Sequence, residues 1–171
     1  DRAPFFKQAY ARGEIPMRVT HNDTKCNNVM FDRDTKEPLA VIDLDTVMPG
    51  FTAYDYGDAV RFAANTAAED EPDTSKVSLD LRLCRAFTDG FVGKIRDRLR
   101  PEEVNTLPDG LLLITLELAA RFLTDYLSGD TYFATKYPEH NLVRARTQIK
   151  LASEMEASFP EMNKIIEEVL G

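Results

Sequence analysis

The stretch VTHNDTKCNNVMFD (residues 19–32), followed by AVIDLDTVMPG (residues 40–50), decides how the rest of the chain is read. Three apolar runs of strand type lie here, MRVT (17–20), NVMF (28–31) and PLAVIDL (38–44), and the polar turn DRDTKE (32–37) joins the last two into a hairpin. The first run delivers His21, Asn22 and Asp23, a tight loop follows through Thr24, Lys25, Cys26 and Asn27, and Asn28 opens the next strand. Asp43 stands at the end of the third. Short strands joined by a turn bring their ends together, which gathers Asp23, Asn28 and Asp43 around one small volume. Two carboxylates and an amide oxygen suit Mg²⁺, a hard cation that takes few protein ligands and completes its shell with water and phosphate oxygens. The competing reading is a polar turn whose Asp and Asn side chains bond the local backbone. Both halves in this order, each set between strands, favour the cation site.

From Tyr54 onward the pattern turns helical. Residues 55–68, 76–99, 108–128, 142–158 and 161–170 carry apolar side chains three and four apart, and the breaks between them hold Gly or Pro. Residues 1–16 read as a short helix carrying Phe5, Phe6 and Tyr10, closed by Gly13 and Pro16. The expected fold is therefore α+β and mainly α-helical: a β-rich region over 1–50 packed on a helical region over 51–171, as a single unit. The 171 residues, with 43% hydrophobic and 29% charged side chains, have the composition of a folded domain. A net charge of −8 argues against nucleic acid or an anionic membrane surface as partner, because phosphate recognition needs a basic face. The longest apolar run, 111–116, is too short to span a bilayer. The two cysteines, Cys26 and Cys84, read as reduced thiols of a cytoplasmic protein and not as a disulfide framework. The chain opens at Asp1 inside an amphipathic segment, which reads as part of a longer protein.

The chemistry these residues fit is phosphoryl transfer, which uses a metal ion to bridge phosphate oxygens and a carboxylate to orient or deprotonate the attacking hydroxyl. The spacing His21-x-Asp23-x-x-x-x-Asn28 is that of the kinase catalytic loop, and Asp43 stands where a second metal-binding Asp follows it. Lys25 matches a lysine position of many such loops and is placed to touch the transferred phosphoryl group. The strings HNDTKCNNVMFD, VIDLDTVMPG and YDYGDAVR resemble the aminoglycoside phosphotransferase / choline kinase superfamily. LDTVMPG, RFLTDYLSGDTYF and YPEHNLVRARTQ resemble most closely its N-acetylhexosamine 1-kinases, and the likeness covers residues 15–158.

That resemblance implies a protein-kinase-like C-terminal lobe and an ATP- and Mg²⁺-dependent kinase that phosphorylates the anomeric hydroxyl of an N-acetylhexosamine. Asp23 would be the catalytic base, Asn28 and Asp43 the ligands of Mg²⁺ and its nucleotide, and Arg121 and Tyr132 the residues that contact the sugar. Asp58 would brace the catalytic loop by accepting its backbone N–H groups, with His21 packed beneath. The sequence departs from the family pattern in having no Gly-rich phosphate loop and no strand lysine paired to a helix glutamate. GFVGK (90–94) lacks the P-loop spacing and lies mid-helix. The 171-residue chain is therefore expected to be inefficient alone and to expose apolar surface through which it either self-associates or loses solubility.

Other residues carry weaker readings. Asp45, two positions after Asp43 on a strand, would share its face and join the metal site, or instead cap the following turn. Glu117 lies four residues before Arg121, so an ion pair along the helix competes with a sugar role, and Tyr132 is equally a packing tyrosine. His140 reads as a helix-start or surface residue, and Glu102 and Glu103 as a solvated helix end. The alternatives at the level of function are a kinase for another alcohol (an aminoglycoside, choline or homoserine) and a non-catalytic lobe that binds a sugar or a partner chain. The arginine at 121 favours a neutral or anionic acceptor. Neither cysteine stands in the signature a sulfatase needs.

Overall fold

The computed structural model of the chain describes residues 4–170. Helix α1 (Phe5–Ala11) begins the described part and ends at Gly13, whose φ of 75° reverses the chain. The first three residues of the expected helix lie outside the described residues. Four short strands follow, β1 (Arg18–Thr20), β2 (Val29–Phe31), β3 (Pro38–Val41) and β4 (Met48–Gly50). The remainder is helical: α2 (Thr52–Ala63), α3 (Leu81–Ile95), α4 (Pro101–Asn105), α5 (Leu107–Leu127), α6 (His140–Ala157) and α7 (Phe159–Leu170). The fold is α+β and mainly helical, with the expected hairpin at its N-terminal end.

The strands form two nested antiparallel pairs. β2 and β3 make the inner hairpin, with Val29 opposite Val41, and β1 and β4 make the outer pair, with Thr20 opposite Met48. The outer pair was not expected, because three residues carry too little alternation to read. Its Thr20 hydroxyl donates to the Met48 carbonyl at 3.0 Å. Gly50 is required beside it, since a Cβ there would lie 2.3 Å from Thr20 Oγ1.

Helix α5 is the spine, packed between α2 and α6, while α3 packs on α7. Leu107, Leu111 and Leu112 of α5, Tyr56 and Val60 of α2, and Leu151 and Met155 of α6 are buried almost completely. α2 and α5 cross backbone to backbone. A Cβ on Gly57 would meet the Gly110 carbonyl carbon at 2.8 Å, and one on Gly110 would meet the Ala53 oxygen at 2.3 Å. α1 is held to this core by Phe6, whose ring lies 5.4 Å from Phe51 and 5.1 Å from Tyr54.

Several element boundaries differ from the sequence reading for local reasons. α2 ends early because the following segment folds back as a bridge, with Asp80 N–H donating to the Ala64 carbonyl at 2.8 Å. α3 starts at Leu81 because the Asp80 carboxylate caps it, accepting from Arg82 N–H at 2.8 Å. α4 was unread, and with it the role of Glu103. That glutamate is buried, not solvated: it takes a bidentate pair from Arg18 of β1 at 3.0 and 2.7 Å and the Arg100 N–H at 2.9 Å. His140 is likewise buried. Its Nδ1 accepts the Lys136 N–H at 3.2 Å, so Nε2 donates to Asp70 at 3.1 Å.

Apolar exposure is concentrated in one place. Of eighteen large apolar side chains exposed among the described residues, ten lie between Met17 and Met48, including Phe31 and Leu39 of the inner hairpin. Among the described residues no helix is long and apolar enough to cross a membrane.

Candidate active site

The loop between β1 and β2 is suspended from helix α2. The Asp55 carboxylate accepts the N–H of His21 and the N–H of Asn22, each at 2.8 Å, and the Thr24 hydroxyl donates to the Asp55 carbonyl. Burial pushes the Asp55 carboxyl above the usual carboxylate range despite these bonds. The bracing role expected of Asp58 thus belongs to Asp55. The two stand three positions apart on α2, and one turn of helix carries Asp58 past the loop to the cavity wall. There its Oδ1 binds Arg61 at 2.8 Å.

Asn22 takes a left-handed conformation, φ 64°, and its amide donates to the Thr46 carbonyl at 3.0 Å. Thr46 returns a hydroxyl bond to the His21 carbonyl at 2.6 Å, so the loop is fastened to the segment that carries Asp43. His21 completes the tie from below. Its Nδ1 accepts the Asp23 N–H at 3.3 Å, which leaves Nε2 to donate to the Ile42 carbonyl at 3.0 Å.

Asp23, Lys25 and Asn28 form one cluster. Asp23 Oδ2 receives Lys25 Nζ at 2.8 Å and Asn28 Nδ2 at 2.9 Å. Partial burial of Asp23 works against the charged carboxylate, but the bonds from Lys25 and Asn28 outweigh it, and the group titrates below the usual range. Asn28 is buried, and its amide also donates to the Asp23 carbonyl at 2.8 Å. With Nδ2 so committed, Oδ1 is the atom left for a cation.

Asp43 follows directly on the hairpin ladder, since Ile42 N–H donates to the Asn28 carbonyl at 2.9 Å. Its backbone is left-handed, φ 63°, an uncommon state for a residue other than glycine, and its side chain is exposed. Its charge lies near enough to Lys25 to help raise that ammonium's pKa, after the Asp23 hydrogen bond as the larger cause. Asp45 does not sit on a strand. β3 ends at Val41, and Asp45 lies exposed in a 3-10 turn, Leu44–Thr46, so alternation gives no reason to pair it with Asp43.

Among the described residues no three or more His, Cys, Asp or Glu gather to hold a metal ion. The donor set of Asn28 and Asp43 nonetheless suits the sparse coordination that Mg²⁺ takes when phosphates supply its other ligands.

Above this cluster opens a cavity of about 450 Å³, which Asp23 and Lys25 share with Arg121 and Tyr132. Arg121, from α5, lies 5.6 Å from the Tyr132 ring centroid and 5.3 Å from that of Phe133, with its NH2 donating to the Tyr132 hydroxyl at 3.4 Å. The i,i+4 partner Glu117 stands farther off, at 3.8 Å. Sequence reasoning gave Asp58 a different role and missed three further charged groups of the wall: Arg61, Glu69 and Arg144. Arg61 binds Asp58 and also Glu69, at 3.1 Å, whereas Arg144 stacks over Phe122 at 5.3 Å and has no carboxylate partner among the described residues. Asp58 Oδ2 and Arg144 Nε are buried without a hydrogen-bond partner among the described residues. The i,i+3 spacing of Asp58 and Arg61 was the one visible signal.

A loop carboxylate held by a lysine and an asparagine, with an aspartate following the hairpin, on a mainly helical lobe, is the kind of donor set phosphoryl transfer uses. Residues 4–90 match the phosphotransferase enzyme family (APH), a span that holds the whole loop, Asp43 and α2 and is just over half of the chain. The chain belongs to this family, whose members are kinase-type transferases of small substrates.

Proposed function

We propose that this chain carries the catalytic and acceptor-binding half of an ATP- and Mg²⁺-dependent kinase that phosphorylates the anomeric hydroxyl of an N-acetylhexosamine. The observation that carries this reading is the single cavity lined by Asp23 and Lys25 and by Arg121 and Tyr132. Its volume, about 450 Å³, suits one small polar molecule held by a few convergent groups.

In this reading Asp23 orients the acceptor hydroxyl and takes its proton, and its depressed pKa keeps it ionised for that task. Lys25, bound to Asp23 in the resting site, swings to the transferred phosphoryl group. Asn28 and Asp43 hold Mg²⁺, which when bound neutralises charge on the phosphate oxygens. Arg121 and Tyr132 fix the sugar ring, so that positioning and electrostatics supply most of the acceleration. A cationic acceptor such as choline or an aminoglycoside is disfavoured by Arg121 and by Arg144, the latter with no carboxylate beside it. The exposed apolar face of the inner hairpin is where a nucleotide-clamping lobe docks, and the chain turns over poorly without one.

The test is a panel of free sugars, choline, homoserine and aminoglycosides offered with ATP to the protein in its full natural length, reading ADP. N-acetylhexosamines should be the preferred acceptors, and a faster reaction with choline or an aminoglycoside overturns the acceptor assignment. Arg121→Ala should raise the sugar KM about tenfold, with the ATP KM unchanged. Turnover by residues 1–171 alone at the rate of the full-length protein overturns the need for a second lobe.

A further inference from the structure

Tyr132 is placed at the acceptor cavity although almost nothing packs on it. Its side chain is 73% exposed, with contacts to the Phe133 ring at 4.8 Å and to Arg121. Side-chain packing cannot hold such a residue in one orientation. Its backbone, by contrast, is tied at every step. After α5 the chain reverses through Gly129 (φ 89°) and Asp130 (φ 58°), and the Asp130 N–H donates to the Asp125 carbonyl at 2.9 Å. The Asp125 side chain, itself buried, then gathers the next three amides. Its Oδ1 accepts Thr131 N–H at 2.9 Å and Tyr132 N–H at 2.8 Å, and its Oδ2 accepts Phe133 N–H at 2.9 Å.

The carboxylate is secured in turn by α6. Asn141, fully buried, donates through Nδ2 to Asp125 Oδ2 at 2.9 Å and to Asp130 Oδ1 at 2.8 Å. Arg144, one turn on, donates through NH1 to Asn141 Oδ1 at 3.0 Å and to the Ala134 carbonyl at 3.2 Å. The loop is thus clasped at both ends, and the last link of the clasp also lines the cavity.

We propose that Asp125, held in place by Asn141 and Arg144, is the positioning residue of the acceptor site: it converts the loop at 130–134 into a rigid mount that sets Tyr132 and Phe133 against Arg121. The inference rests on the acceptor role assigned above to Arg121 and Tyr132. Asp125 is not itself among the residues that line the acceptor cavity. Charge-assisted bonds from three successive amides are the anion-nest arrangement, satisfied here from within the chain. A neutral amide at this position offers one acceptor oxygen and sets an NH2 group against N–H donors.

The test joins two readouts on Asp125→Asn and, because that variant risks a wider unfolding, on Asn141→Ala. The first is amide hydrogen exchange with no ligand present. Exchange at 131–133 should quicken at least tenfold while the middle of α5 keeps its protection; equal quickening throughout α5 and α6 overturns the proposal. The second is N-acetylglucosamine saturation of the full-length protein with ATP. The sugar KM should rise about tenfold with kcat and the ATP KM nearly unchanged, and the change should add nothing in a Tyr132→Ala background. A sugar KM that stays at the wild-type value, or a full additional loss beyond Tyr132→Ala, overturns it. If the wild-type protein turns over no N-acetylhexosamine, the sugar assignment falls, and the exchange pattern alone decides whether the mount exists.

Discussion

The β-rich region and the helical region of this chain divide two tasks between them. The strands and loops from Met17 to Gly50 carry the groups to which we assign the chemistry, yet they hold ten of the exposed large apolar side chains and almost none of the core. The helices from Thr52 onward carry the core, and they tie down the rest chiefly through single carboxylates: Asp55 under the loop at 21–24, Glu103 on Arg18, Asp125 under the loop at 131–133. Reactive geometry is therefore imposed on a thin layer of chain by point attachments to a packed support, and chemistry and stability should respond to different substitutions.

The sharpest separation is Asp23→Asn. It should lower kcat of the full-length protein on the order of 10²–10⁴-fold while leaving its unfolding midpoint and sugar binding nearly unchanged. Weakened sugar binding with kcat intact would break the base assignment. In the opposite sense, Leu111→Ala in the spine helix should cost about 2–5 kcal/mol in denaturant unfolding, since the site is sealed on all sides. Gly110→Ala should cost about 1–3 kcal/mol, because the new methyl group meets the Ala53 backbone and not a side chain that can turn aside.

Acid should act through the attachments. The Glu103 and Asp125 carboxyls both sit below their ordinary values in the fold. At Asp125 the cause is the Phe133 amide first, with those of Tyr132 and Thr131 behind it. At Glu103 burial pushes upward and the Arg18 bonds outweigh it. A folded-state pKa depressed below the unfolded one gives stabilisation that is present above the unfolded value, about 4 for carboxylates, and is lost as pH falls through the folded value. Unfolding midpoints should thus hold from pH 7 to about 5 and fall below about 4. Tyrosine fluorescence during an acid titration checks this. The smallest effect belongs to the hairpin face: Leu39→Ser should shift stability by about 0.5 kcal/mol or less, yet reduce any self-association seen by sedimentation. A large loss of stability there would end the division of labour described above.

What the sequence revealed follows range along the chain. The β2–β3 hairpin and the approach of Asn28 to Asp23 were legible because a few residues of polar turn or loop separate their parts. Arg121 and Tyr132 were legible by resemblance, and the structure brings them to the same cavity as Asp23. Asp55 and Asp58 were not distinguishable, because both lie on α2 and only its rotation decides which faces the loop. Glu103 was misread, Asp125 was passed over, and His140, which does start α6, was not seen to be buried, for a common reason. Each looks solvated in a polar local string, and each is buried by partners at 18, 70 and 141 that no local pattern connects to it.

The glycine crossing of α2 and α5 has a geometric corollary. The loop with Asp23 hangs from one of these helices and Arg121 projects from the other, so the bare contact between Gly57 and Gly110 works as the pivot of a caliper. In the reading proposed here, a methyl group wedged at the pivot would part the jaws by a fraction of an ångström, enough to spoil an in-line approach with every side chain still present.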